Sequence, residues 1–109
     1  MTPTQLSGSR LRHTVAFTLR HDDGSPEEAA FLAANAALGE IDGVESFELV
    51  REVSPKNPYR LGVSMEFADR AAYDAYNADP RHLAFVRDRW VPEVTDFLEV
   101  DFASLGDPA

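Results

Sequence analysis

The stretch "LGVSMEF", residues 61–67, decides the fold. Leu61, Val63, Met65 and Phe67 occupy alternate positions, with Gly62, Ser64 and Glu66 between them. A period of two sends successive side chains to opposite faces, so this is a strand with one buried face. Just before it, "SPKNPY" (residues 54–59) holds two prolines and an asparagine and reads as a connecting loop. Before that loop, Val44–Val53 reads as a second strand, with Phe47, Leu49 and Val53 on one face and Ser46, Glu48 and Glu52 among the residues opposite.

Further toward the N-terminus, "SPEEAAFLAANAALG" (residues 25–39) carries a helix start: Ser25 as N-cap, Pro26 at the first helical position, and Glu28 placed to complete a capping box. Phe31, Leu32 and Leu38 give that helix its apolar face, and Gly39 is expected to end it. Leu11–Arg20 alternates again. His13, Val15, Phe17 and Leu19 point one way, and Arg12, Thr14, Ala16, Thr18 and Arg20 the other. On the C-terminal side, Asp69 caps a helix through Asn77, and Asp79 with Pro80 starts another that runs to about Trp90 or Val94, disturbed at Pro92. Phe97–Phe102 alternates as the last strand.

The order is strand, helix, strand, strand, helix pair, strand. That is the split βαβ arrangement of a ferredoxin-like α+β fold, a four-stranded antiparallel sheet with helices on one face. The other face has no cover within the chain, and Ala16, Val44, Val50 and either Phe97 or Leu98 fall on it. A second copy packed sheet to sheet would bury it, so a two-fold homodimer is expected. Residues 11–102 form the one domain, with tails at 1–10 and 103–109 that are expected to be loose.

Composition bounds the partners. With 44% hydrophobic and 10% aromatic residues in 109, the chain can build one core and not two. A net charge of -9, from 19 acidic and 10 basic residues, repels phosphate backbones and anionic lipid, so neither nucleic acid nor a membrane surface is an expected partner. The chain has no cysteine, and no stretch approaches the roughly 20 apolar residues that span a bilayer. "MTPTQLSGSRLRH" has no continuous apolar run of the secretion-signal kind. A cytoplasmic location is expected.

"RHTVAFTL" (12–19), "VSMEF" (63–67), "AYNADPRHLAFV" (75–86) and "DFLEVDF" (96–102) together resemble the stress-responsive dimeric α/β-barrel domain family. The resemblance covers about Leu11 to Phe102 and implies a dimer in which two ferredoxin-like sheets form a barrel. It also relates the chain to plant polyketide cyclases, which use a tyrosine and a histidine for an intramolecular aldol condensation in a pocket between sheet and helices. Tyr76 and His82 stand at the positions of that pair, and His13 matches a further pocket histidine. Where those cyclases place another histidine on the third strand this chain has Leu61, which implies a less polar cavity.

His82 falls near the N-terminal end of its helix, where the macrodipole disfavours imidazolium, while Asp79 acts in the opposite sense. A neutral imidazole can take a proton alpha to a carbonyl, and Tyr76 can donate to the oxygen that becomes negative. The bland reading is that His82 bonds a backbone carbonyl and fixes the break between two helices. His13 lies on the strand face of Val15 and Phe17 and is either a ligand contact or a satisfied core residue. His13 and His82 could share a metal, but no third ligand stands out at helical or strand spacing, so no metal is expected. His21 reads as an exposed loop residue. Tyr73, Phe85, Val86 and Trp90 read as core, with Phe85 also a candidate substrate contact.

The leading expectation is a homodimer that binds a hydrophobic, carbonyl-bearing small molecule and performs cyclisation, isomerisation or another proton transfer. Such chemistry calls for no cofactor, and no Gly-rich phosphate loop is present. One alternative is a non-enzymatic stress-responsive dimer whose Tyr/His pair is structural. Another, by fold analogy alone, is a cofactor-independent monooxygenase.

Overall fold

The computed structural model describes residues 6–106; the outermost parts of the two expected tails, 1–5 and 107–109, lie outside the described residues. Strands β1 (Leu11–Leu19), β2 (Glu45–Arg51), β3 (Leu61–Phe67) and β4 (Val94–Ala103) form one antiparallel sheet in the order β2-β3-β1-β4. Helix α1 (Pro26–Ala36) follows β1, and α2 (Arg70–Ala78) and α3 (Pro80–Phe85) follow β3. The chain then passes through a π-helical stretch, Val86–Trp90, and a short α4, Val91–Glu93, into β4. Among the described residues no helix is long and apolar enough to cross a membrane.

The inner sheet face follows the alternation. Val15, Phe17 and Leu19 of β1 and Leu61, Val63, Met65 and Phe67 of β3 are all buried, joined by Phe31, Leu38, Tyr73, Tyr76 and Phe85 from the helical layer. Phe17 packs on Phe31 and Trp90 with ring centroids 5.8 and 5.1 Å away. Burying each such ring contributes about 1.5–3 kcal/mol relative to exposing it. Ser9 and Arg10, just before β1, are tied to the domain by Ser9 Oγ donating to Ala68 O (2.8 Å) and Arg10 bridging Glu45 (2.8 Å) and Glu66 (3.2 Å).

Several details differ from the sequence reading. Ser25 Oγ does accept from the Glu28 amide (3.1 Å), but the Glu28 carboxylate bonds the Gly24 amide (3.1 Å), because the Ser25 amide already donates to Asp22 O (3.1 Å). The capping box is therefore displaced by one residue. Gly39 does not stop the helix: α1 tightens at Ala37 into a 3₁₀ turn that runs to Glu40. Gly39 is needed there for space, since a Cβ at this position would lie 3.0 Å from the Phe47 ring.

β2 is shorter than expected, with a bulge between Glu45 and Glu48 where Ser46 takes φ of 51°. Val53 lies beyond the strand and is exposed, whereas Val44 packs against the core instead of on the open face. β4 begins at Val94, three residues earlier than read, and its register settles the face of each residue: Phe97 pairs with Phe17 on the inside and Leu98 with Ala16 on the outside. The helical disturbance spreads upstream of Pro92 as the π-helical stretch, since proline lacks the N–H for an i−4 bond and crowds the carbonyl four residues back. His21 is not an exposed loop residue: its Nε2 lies 2.6 Å from Glu93 Oε1, and both side chains are largely buried.

The outer sheet face stays open. Val50, Leu98, Val100 and Phe102 are each between 36% and 51% exposed, and with Ala16 and Gly62 they make an apolar surface across the sheet.

Candidate functional site

Between the inner sheet face and the helices lies a cavity of about 380 Å³. The sheet supplies His13, Val15, Val63, Met65, Phe97 and Glu99; α1 and the turn after it supply Asn35 and Leu38. The far wall is Tyr76, Asn77, His82, Phe85, Val86, Trp90 and Val91. The size falls within the range of about 300–1,000 Å³ usual for small-molecule pockets, and the walls are mainly apolar.

Of the residues singled out from sequence, Tyr76, His82, His13 and Phe85 all border this one space. Leu61 does not. It lies two residues before Val63 on β3, paired with Phe17 of β1 and Arg51 of β2, buried in the core and bordering a separate shallow hollow with Leu32 and Leu49.

Local sequence brings Tyr76 and His82 together. Asp69 Oδ1 accepts from the Ala72 amide (2.8 Å) to open α2, and Asp79 Oδ1 accepts from the Arg81 amide (2.8 Å) to open α3 at Pro80. The chain bends between the two caps, so the last turn of α2 meets the first turn of α3. The Tyr76 and His82 rings lie 4.5 Å apart, tilted by 49°. His82 Nδ1 donates to Asn77 O at 3.3 Å, which satisfies a carbonyl in the final turn of α2 and leaves the ring lone pair on Nε2.

Burial lowers the His82 pKa below its usual value, and nearby His13 acts in the same direction; the bond to Asn77 O, Asp79 and Glu99 oppose this. Arg81 holds the Asp79 carboxyl down at about 2. Tyr76 is 2% exposed, and burial raises its pKa, so the phenol stays protonated at neutral pH and can only donate as an acid or bond as a neutral hydroxyl.

At the sheet side of the cavity stands a polar cluster whose members were not grouped by the sequence reading. His13 Nδ1 donates to Asp101 Oδ1 at 2.6 Å, and the Tyr73 hydroxyl lies 2.9 Å from Asp101 Oδ2 and 3.1 Å from Glu99 Oε2. Burial, then the bond to Asp101, raises the Tyr73 pKa. The cluster follows from β4 register: with Phe97 inside, Glu99 and Asp101 must share that face, and Asp101 pairs directly with His13. Alternation in "DFLEVDF" was the available signal, and the ambiguity over Phe97 or Leu98 hid it. His13, Glu99 and Asp101 each offer a donor atom within 4.8 Å of the others, a third-ligand combination that helix or strand spacing alone did not reveal. Their hydrogen bonds to one another and to Tyr73 already engage these atoms.

A four-stranded antiparallel sheet with one helical layer and a cavity between the two defines a small ferredoxin-like α+β domain. The chain belongs to the stress responsive A/B barrel domain family, whose model matches residues 11–104. It is 57% identical to a crystallised family protein with a ferredoxin-like fold from Mesorhizobium loti, over 89% of this chain and 98% of that one, with a TM-score of 0.87. A dimeric ferredoxin-like protein of unknown function from Thermobifida fusca shares the fold at 21% identity and TM-score 0.71, covering 88% of this chain and 92% of that one. A hydroxynitrile lyase from Passiflora edulis does so at 13% identity and TM-score 0.76, covering 86% and 92%. A search among curated proteins gives no match.

Proposed function

We propose that this chain is a homodimer whose subunits each bind a hydrophobic, carbonyl-bearing small molecule in the 380 Å³ cavity. His82 acts as base and Tyr76 as hydrogen-bond donor. The observation that carries this reading is that the Tyr76 and His82 rings, 4.5 Å apart, share the wall of one mainly apolar cavity, where burial favours a neutral imidazole and a protonated phenol. With Nδ1–H committed to Asn77 O, the Nε2 lone pair of His82 is free to take a proton alpha to a carbonyl, and the electron pair left behind moves onto the carbonyl oxygen. The Tyr76 hydroxyl donates to that oxygen, and burial makes the bond stronger than it would be in water. The Passiflora enzyme is too distant for its activity to carry over; it supports the fold alone.

The homodimer is supported by the apolar outer face and by dimeric relatives of the same fold from Bacteroides fragilis, Thermobifida fusca and Jannaschia. Packing of one sheet on another is the arrangement that covers Leu98, Val100 and Val50 together.

A second reading is favoured by one contact: the His82 bond to Asn77 O is the helix-break bond that a purely structural histidine would make. Deuterium exchange separates the two. Hexanophenone in D₂O, followed by proton NMR, should lose its α-proton signal faster with the protein than without it, and His82→Gln should abolish the difference. No acceleration by the unmodified protein would leave the structural reading standing.

A further inference from the structure

Asn35 occupies a place in α1 where spacing calls for an apolar side chain. Phe31, Asn35 and Leu38 follow one another at i, i+4 and i+7, and all three are buried. Asn35 is only 2% exposed, and its Nδ2 finds no hydrogen-bond partner among the described residues. Among the described residues the other two buried polar side chains, His13 and Glu28, are satisfied by Asp101 and by the Gly24 amide, and the two further orphaned atoms, Glu52 Oε2 and Arg89 Nε, belong to less buried side chains. A buried amide donor without an acceptor is destabilising, and native proteins keep few of them without a reason. Asn35 also borders the cavity, on the wall opposite the sheet.

We infer that Asn35 is a ligand-binding residue whose Nδ2 donates a hydrogen bond to an oxygen of the molecule held in the cavity. This rests on the reading that the cavity takes an apolar ligand with a carbonyl or similar acceptor oxygen, and it adds a recognition group on α1 to those on α2 and α3. Leucine in place of Asn35 would fill the same helical position without an unpaired N–H. The amide therefore costs stability in the empty protein, where Nδ2 is sealed in the wall, and a turn of the amide about its terminal side-chain bond presents the N–H to the acceptor when it arrives. A ligand of the same shape without an oxygen leaves the donor orphaned and binds less well.

The test compares hexanophenone with hexylbenzene, a similar shape lacking the carbonyl, by isothermal titration against the unmodified protein, Asn35→Leu and Asn35→Ala. The ratio of the two affinities is the readout, because added bulk in the leucine variant affects both probes alike, and the alanine variant adds none. The unmodified protein should prefer the ketone, and both variants should lose about tenfold of that preference. Asn35→Leu should also raise the thermal midpoint.

Retention of the preference in both variants, or a lower midpoint in both, would overturn the inference, since Asn35 would then be a satisfied core amide. Tyr76→Phe distinguishes the two levels of the account. Preference lost in Tyr76→Phe and kept in the Asn35 variants overturns the role of Asn35 and leaves the proposed function intact. Preference lost in the Asn35 variants and kept in Tyr76→Phe supports Asn35 and removes Tyr76 from recognition. No preference in the unmodified protein overturns both.

Discussion

His13 and Asp101, 88 positions apart in the chain, face each other across the β1–β4 ladder with 2.6 Å between Nδ1 and Oδ1. The Tyr73 hydroxyl closes the group from α2. One carboxylate thus orients an imidazole at the cavity wall and ties the helical layer to the strand that ends the domain. Asp101→Ala removes the acceptor from both partners. Because the Asp101 side chain is 35% exposed and Glu99 lies close enough to replace part of the interaction, the expected loss is about 1 kcal/mol. Urea denaturation at fixed protein concentration measures it; an unchanged midpoint would show that the cluster adds nothing to stability.

His82 gives a pH dependence of known sign. Its pKa is lowered in the folded chain, mainly by burial, so the unfolded chain takes up this proton more readily. The stability associated with neutral His82 is complete above the unfolded value of about 6.5 and is lost as pH falls from there through the folded pKa. His82→Gln should lose less thermal stability than the unmodified protein between pH 7 and pH 5.5. An NMR titration of the ring should give a midpoint below the usual histidine value, with His13, Asp79 and Glu99 as the neighbours that modulate it. A midpoint above that value would mean that the carboxylates outweigh burial.

Gly39 and Phe47 form a steric pair that sequence reading assigned to a different purpose. A methyl group at residue 39 meets Phe47 Cγ at 3.0 Å and Cβ at 3.2 Å, near the fixed root of that side chain. Gly39→Ala should therefore destabilise by about 1–3 kcal/mol, and its cost should be smaller when it is made in a Phe47→Ala background, which removes Cγ and the ring. An equal cost of Gly39→Ala in the two backgrounds would place the strain elsewhere.

The outer face is the proposed subunit interface. Leu98→Lys puts a charge in the middle of the apolar surface formed with Ala16, Val50 and Val100. The unmodified protein is expected to sediment as a dimer and the variant as a monomer at the same micromolar concentration. Two dimeric species would show that another surface joins the subunits.

Much of this was legible in the chain because the relevant signals are local. Alternation at Leu61–Phe67 and His13–Leu19 marks the central strands, and Ser25, Asp69 and Asp79 mark the helix starts through side chains that accept the expected amides. The Tyr76 and His82 pairing follows from two caps placed close together. What stayed hidden depends on pairing between distant segments. Glu99 and Asp101 become neighbours of His13 only once the β4 register is set, and Leu61 borders a different hollow, shared with Leu32 of α1 and Leu49 of β2. Asn35 carries no sequence signal beyond an amide on an apolar stripe.

The proposed function is tested most directly by Tyr76→Phe, which removes one hydroxyl and keeps the ring that packs on Phe67 and His82. The measurement is the ratio of hexanophenone to hexylbenzene affinity in the unmodified protein and in this variant, by isothermal titration at neutral pH. The expected result is a clear preference for the ketone in the unmodified protein that falls by about three- to tenfold in Tyr76→Phe, the value of one hydrogen bond. Equal ratios in the two proteins would contradict it and return Tyr76 to the core as a packing residue.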